Sequence, residues 1–334
     1  MEMFIITYKI KNVTVATLII IIFLIFLINT KIVADASINA LTMCFLKLIP
    51  SIFPFMILSN ILLNLNILDS CKKPIILVIL SWISGFIVGP SFLTRLNKNE
   101  DISDYVALTS NAGIGYVISF VGITIWGNLM LGILLYFVQI LSSLIIFCFS
   151  KKSCIKFDNY SKKASILTII TSSVQASTKT TLDICGFTVF FSVLKDIFSA
   201  LLGSKGVAII VSSTLEISSG VLDAIRINNT ILCAFFTGFS IGFGGLCIYM
   251  QTLSVCMDSH INKLRFFCKK FLQGIICGLF ATIICKIFNL EPLGSAFTII
   301  NKNINKFNIV LSAFFLFLVI CLLKKTLKKK LYSL

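Results

Sequence analysis

Apolar runs of near-membrane length alternate along the chain with short basic stretches, and some of the runs carry polar residues at their middles. About 20 predominantly apolar residues suffice for a helix to cross the hydrocarbon core. The pattern predicts helices over residues 13–29, 40–66, 74–93, 129–149, 176–202, 230–256, 271–289 and 307–323. Two further apolar segments, 104–128 and 207–225, are interrupted by Ser, Asn, Gly or Glu. They predict re-entrant hairpins or broken helices, because non-helical backbone is tolerated at membrane depth where it is buried in protein or lines a cavity. The expected fold is an all-α polytopic membrane protein with about eight transmembrane helices and two such hairpins.

Charge sets the direction of the spans. The basic blocks KKSCIKFDNYSKK (151–163), DSHINKLRFFCKK (258–270) and KKTLKKKLYSL (324–334) belong on the cytoplasmic side by the positive-inside bias. Eight crossings satisfy all three and place both termini in the cytoplasm. The first span precedes VADAS, which looks like a signal-peptide cleavage site, but its apolar run is long for a signal and more spans follow, so an uncleaved anchor is expected.

Composition agrees with this reading. The 334 residues are 57% hydrophobic and 13% charged, with a mean hydropathy of +1.02. The excess of 29 Lys and Arg over 13 Asp and Glu sits in the short blocks between spans. Nucleic acid is excluded as a partner, since no basic face alternates with aromatic residues. The twelve cysteines form no C-x-x-C pair and the one histidine, His260, has no nearby ligand residue, so neither a metal nor a cofactor is expected. No nucleophile, base and orienter recur at catalytic spacing, so an enzyme is not expected.

The halves resemble each other. From Ala40 and from Ala176, ungapped alignment matches Ala40 with Ala176, Thr42 with Thr178, Leu46 with Leu182, Phe55 with Phe191, Leu58 with Leu194 and Ile61 with Ile197. GFIVG (85–89) has an echo in GFSIG (238–242). In the expected topology the two copies enter from opposite sides, which is an inverted repeat. Such repeats with interrupted helices point to a secondary-transport fold with its site near the midplane, where half-helix N-termini suit a carboxylate. The units expected are a membrane anchor (1–37), a first repeat (38–150), a basic loop (151–163), a second repeat (164–290) and a last helix with a basic tail (291–334).

LIPSIFPFMILSNIL, SGFIVGPSFLTRL, TSNAGIGYVISFVG, TSSVQ, GFTVFFSVL, LEISSG and GFGGLCIYMQTLS occur in this order between Leu48 and Ser254, within a resemblance that covers residues 15–290. The chain thereby resembles the sporulation integral membrane protein YlbJ (SpoVV) family of the nucleoside-transporter-like Gate superfamily. The resemblance implies a membrane protein of endospore formers, made in the mother cell and sited in the outer forespore membrane. There it would pass the small dianion dipicolinate toward the developing spore. The partners implied are this anion and the lipid bilayer, with self-association left open. A non-transporting membrane partner in spore maturation or cortex formation, or a transporter of another small solute such as a nucleoside, remains an alternative.

By the same resemblance the substrate site falls on Ser84, Gly85 and Gly89, with Ser91 and Arg95 following, on Ser110 and Asn111, on Glu216 and Ser218, and on Gly242, Gly245 and Gln251. Ile87 and Ser91 stand where the family usually has Pro and Lys, which leaves Arg95 as the basic residue nearby. Glu216 would repel a dianion while ionised. It is therefore expected to cap backbone N–H groups at the hairpin break, to carry a proton, or to be buried against a partner such as Arg226. Asn111 and Gln251 are neutral, each offers two N–H donors, and they are the better carboxylate ligands.

Overall fold

The structure, a computed structural model, describes residues 2–65, 73–96, 100–150, 165–257 and 259–288. The expected helix 307–323 and the basic blocks at 151–163 and 324–334 lie outside them. The described residues form helices without strands, and five helices are long and apolar enough to cross a membrane: Thr30–Asn64, Leu129–Cys148, Ile166–Leu202, Thr230–Val255 and Lys263–Ile287. Large apolar side chains such as Phe45, Phe137 and Leu182 stand outward from them, as lipid solvation requires. The chain is an all-α polytopic membrane protein.

The element order is simple. Helix α1 (Glu2–Ile28) leads into α2 (Thr30–Met43), a π-helical turn at Cys44–Leu48, and α3 (Ile49–Asn64). VADAS lies within α2. Pro50 and Pro54 each remove a helical donor and crowd the preceding turn, and the widened π turn falls just ahead of them. There follow α4 (Lys73–Ser84) and α5 (Val88–Leu96), then α6 (Ser103–Thr109), a π-helical segment (Gly115–Ile125) and α7 (Leu129–Cys148). The second half runs α8 (Ile166–Leu202), α9 (Lys205–Leu215), α10 (Ile217–Ala224), α11 (Thr230–Phe243), α12 (Gly245–Val255) and α13 (Lys263–Ile287). Its helix starts are capped by short polar side chains, Ser165, Ser204, Asn229 and Asn262 each accepting from the first turn.

Each half thus consists of one long helix, two short helices joined at a break, two more joined at a break, and a second long helix. The long helices that open the halves run antiparallel. Asn60 donates to Ser177 Oγ (2.8 Å), and one turn further along α3 Asn64 donates to Ser173 Oγ (3.1 Å), one turn earlier on α8. Antiparallel packing of equivalent helices is what an inverted repeat produces.

The breaks differ from the expected ones in the first half. Residues 74–93 do not form one span. The chain turns at Gly85, whose φ of 96° is left-handed, and α5 folds back on α4, so that a methyl group added at Gly89 would lie 2.2 Å from Ser81 Oγ and 2.6 Å from Thr109 Cβ. Segment 104–128 takes the broken-helix form of the two that were expected: its two parts, α6 and Gly115–Ile125, do not lie side by side. In the second half the hairpin is where it was expected, at 207–225. There α10 folds back on α9, and a methyl at Gly220 would lie 2.7 Å from Ser213 Cα and 2.5 Å from Ser240 Oγ. Segment 230–256 also breaks, at Gly244 and Gly245, with φ of 81° and 77°.

These contacts pair the halves more closely than the sequence does. Ser81, Gly89 and Thr109 in the first half match Ser213, Gly220 and Ser240 in the second. The counterpart of GFIVG (85–89) is therefore EISSG (216–220), and the echo in GFSIG (238–242) is a different structure. Gly238 and Gly242 lie in α11 and pack against α13, facing Gly278 and Gly274, where they allow close helix packing.

Candidate functional site

In both halves the hairpin turn rests on the neighbouring helix break. Gly85 meets Gly113 backbone to backbone, an added methyl lying 2.9 Å from Gly113 N. Gly245 meets Leu215 and Glu216 in the same way, at 2.8 Å from Leu215 O and 3.0 Å from Glu216 N. The four breaks converge on one buried core that holds Phe86, Ile87, Ala112, Tyr116, Ile217 and Ile248. Side-chain hydroxyls join the halves there. Tyr116 OH donates to Ser218 Oγ (3.1 Å), and the hydroxyls of Ser110 and Thr252 lie 3.2 Å apart.

The break between α6 and the π-helical segment frees several carbonyls in a buried place, where each needs a donor. Leu108 O accepts from Trp82 Nε1 (2.9 Å), Asn111 Nδ2 (2.8 Å) and Ser143 Oγ (3.2 Å). Ala112 O accepts from Gln139 Nε2 (3.3 Å). Ser110 O accepts from the Lys270 ammonium (2.6 Å). Lys270 also donates to Gln273 Oε1 (2.8 Å), and Gln273 Nε2 donates to Asn111 Oδ1 (2.7 Å). Lys270, Gln273, Asn111, Gln139 and Ser143 are all buried.

At the hairpin of the second half Glu216 ends α9 and begins α10. Its extended backbone breaks the helix, and its carboxylate accepts from Ser218 N (3.0 Å) and Ser219 N (2.6 Å), two of the free donors of the first turn of α10. The capping expectation for Glu216 is the one that the geometry realises. Arg226 is not its partner: that guanidinium is exposed and pairs with Asp223 (3.2 Å).

The remaining positions divide. Ser84 and Ser91 return their hydroxyls to Leu80 O and Val88 O of their own helices, and the side chain of Arg95 lies outside the described residues. Asn111 already uses both amide donors, on Leu108 O and Ser143 Oγ (3.1 Å). It holds the break together and, in this conformation, presents no donor to an anion. Gln251 spends its amide on Ile184 O (3.4 Å) and Cys247 Sγ (3.2 Å), and its buried Oε1 has no hydrogen-bond partner among the described residues. Among the described residues no group of three or more His, Cys, Asp or Glu could hold a metal ion.

Sequence reading missed Lys270 and Gln273. The basic block 258–270 marks a membrane side by its count of charges, which says nothing of which lysine turns inward. The available signal was position: Lys270 heads the apolar stretch FLQGIICG, where an exposed lysine has little reason to be.

The outer ends of α6 and α13 are clamped by charge. Asp104, buried in the first turn of α6, pairs with Arg265 Nη2 (2.6 Å) and with Lys269, while Arg265 Nη1 reaches Asp101 (3.3 Å). Partial burial pushes the Asp101 carboxyl upward, but hydrogen bonds from Ser103 and the Arg265 guanidinium outweigh it and hold the group below its ordinary 3.8. A depressed carboxylate contributes stability that is present above its unfolded value and is lost as pH falls through its folded one. The melting temperature of the detergent-purified protein should therefore fall with acidification below about pH 4, and Asp101→Asn should flatten that fall.

No protein-family model matches the chain, and no solved structure matches it. A curated sporulation protein is similar. The sporulation integral membrane protein YlbJ of Bacillus subtilis strain 168 is 23% identical, over 75% of this chain and 77% of the relative.

Proposed function

We propose that the protein is a sporulation membrane transporter that passes the small dianion dipicolinate across the outer forespore membrane toward the developing spore. The observation that carries this reading is the duplicated pair of helix breaks meeting in one buried core. Discontinuous helices in inverted repeats are where secondary transporters bind their cargo. The similarity to a sporulation integral membrane protein supports the cellular setting.

Energetics favour a simple mode. Moving one charge through 100 mV is worth about 2.3 kcal/mol, so a dianion leaving a negative-inside cytoplasm gains roughly twice that without a coupled cation. Liposomes loaded with dipicolinate, holding an inside-negative voltage and no pH or sodium gradient, should release it only when they contain the protein. Equal release from empty liposomes would overturn the assignment; release that needs a proton or sodium gradient would overturn the passive mode.

A further inference from the structure

We propose that Lys270 is the cation of a carboxylate-binding site built under the first helix break. This deepens the transport reading and rests on it for the class of ligand, a small dicarboxylate.

Lys270 lies in the second turn of α13 and is only 1% exposed. Its two acceptors, Ser110 O and Gln273 Oε1, are neutral. Among the described residues no carboxylate lies within ion-pair distance of it, whereas Arg265 and Lys269 on the same helix both have Asp104. A buried ammonium is costly without a counter-charge. One of its three N–H donors is uncommitted among the described residues.

Capping of the broken helix does not account for that charge. The carbonyls of Leu108 and Ala112, freed by the same break, are served by Trp82, Asn111, Ser143 and Gln139, all neutral. A neutral donor at position 270 would serve Ser110 O equally and avoid burying an ion. A carboxylate of the ligand would supply the missing counter-charge and accept the third N–H.

A closed seam between three helices borders this network. Asp104, Ser150 and Lys269 line the outer end of the seam between α6, α7 and α13 and Leu108, Ser143 and Gln273 its inner end, and in this conformation the seam is too tight to admit a water molecule. Its inner residues are those that hydrogen-bond around Lys270 and Asn111. The Asp104 pairs with Arg265 and Lys269 close its mouth, so entry of an anion along it requires α6 and α13 to part.

The test uses full-length protein in detergent and three ligands: dipicolinate, isophthalate, which keeps both carboxylates but lacks the ring nitrogen, and the uncharged 2,6-pyridinedimethanol. The two dianions should bind, the diol should not, and Lys270→Met should weaken dianion binding by roughly ten- to a hundredfold, the worth of one hydrogen bond to a charged group. Lys270→Arg should retain part of it. Unchanged dianion binding by folded Lys270→Met overturns the proposal. If that variant does not fold, Lys270→Gln decides by the same criterion, and failure of both to fold makes Lys270 a structural cap and overturns it as well. Absence of any dianion binding to the wild type also overturns it. Dipicolinate flux that persists in Lys270→Met removes this site and leaves the transport reading standing. Binding of isophthalate alone, lost in Lys270→Met, supports the site and removes dipicolinate as the cargo.

Discussion

Asn111→Leu should destabilise the protein by about 2–4 kcal/mol, because the side chain joins three elements through buried hydrogen bonds. Its amide donates to Leu108 O and Ser143 Oγ, and its carbonyl accepts from Gln273 Nε2. Leucine fills a similar volume, so the loss is one of hydrogen bonding and not of packing. The Gln273 amide would keep only its longer bond to Gln139 O (3.3 Å), so its Oε1 would hold Lys270 less firmly. Gln251→Leu is the natural control. Gln251 bonds a thiol and one distant carbonyl, so its removal should cost less than half as much. Seven buried thiols among the described residues, Cys277 and Cys247 included, give the readout: a thiol-reactive dye added during heating reports when the core opens. Equal melting of the two variants would show that Asn111 does not hold the break.

The fold was legible wherever polarity marked it. STLEISSG interrupts an apolar run with hydroxyls, a glycine and a carboxylate, and the hairpin lies there, with Glu216 turning the chain. SGFIVGP bends as sharply but stays apolar through the bend. Its turn depends on Gly85 at positive φ and on backbone contact with Gly113, neither of which leaves a trace in hydropathy, so residues 74–93 read as one span. The same gap misdirected the repeat. GFIVG and GFSIG share letters because both need small residues, one at a hairpin turn and the other against α13. Lys270 was hidden for a different reason. Lys269 and Lys270 are neighbours in sequence but point about 100° apart on a helix, so one reaches Asp104 and the other enters the core. Arg226 shows the reverse error: a local i, i+3 pair with Asp223 was closer than the buried carboxylate it was expected to meet.

Glu216→Leu should abolish transport and lower stability by about 2–4 kcal/mol, since it leaves Ser218 N and Ser219 N without acceptors in a buried place. Glu216→Gln separates the acceptor from the charge. Its single carbonyl oxygen can take one of the two N–H groups while its amide turns from the other, so its stability should fall between those of the Glu216→Leu variant and the wild type. Among the described residues no basic side chain pairs with Glu216, and the N-terminus of α10 is what compensates its carboxylate. If the group serves only as that fixed cap, Glu216→Gln should keep most of the voltage-driven dipicolinate flux, measured in liposomes without pH or sodium gradients. The proton-carrying role predicts the opposite: Glu216→Gln stays folded, melts well above Glu216→Leu, and is as inactive. Melting and flux on the same preparations therefore distinguish a carboxylate that shapes the hairpin from one that titrates during the transport cycle.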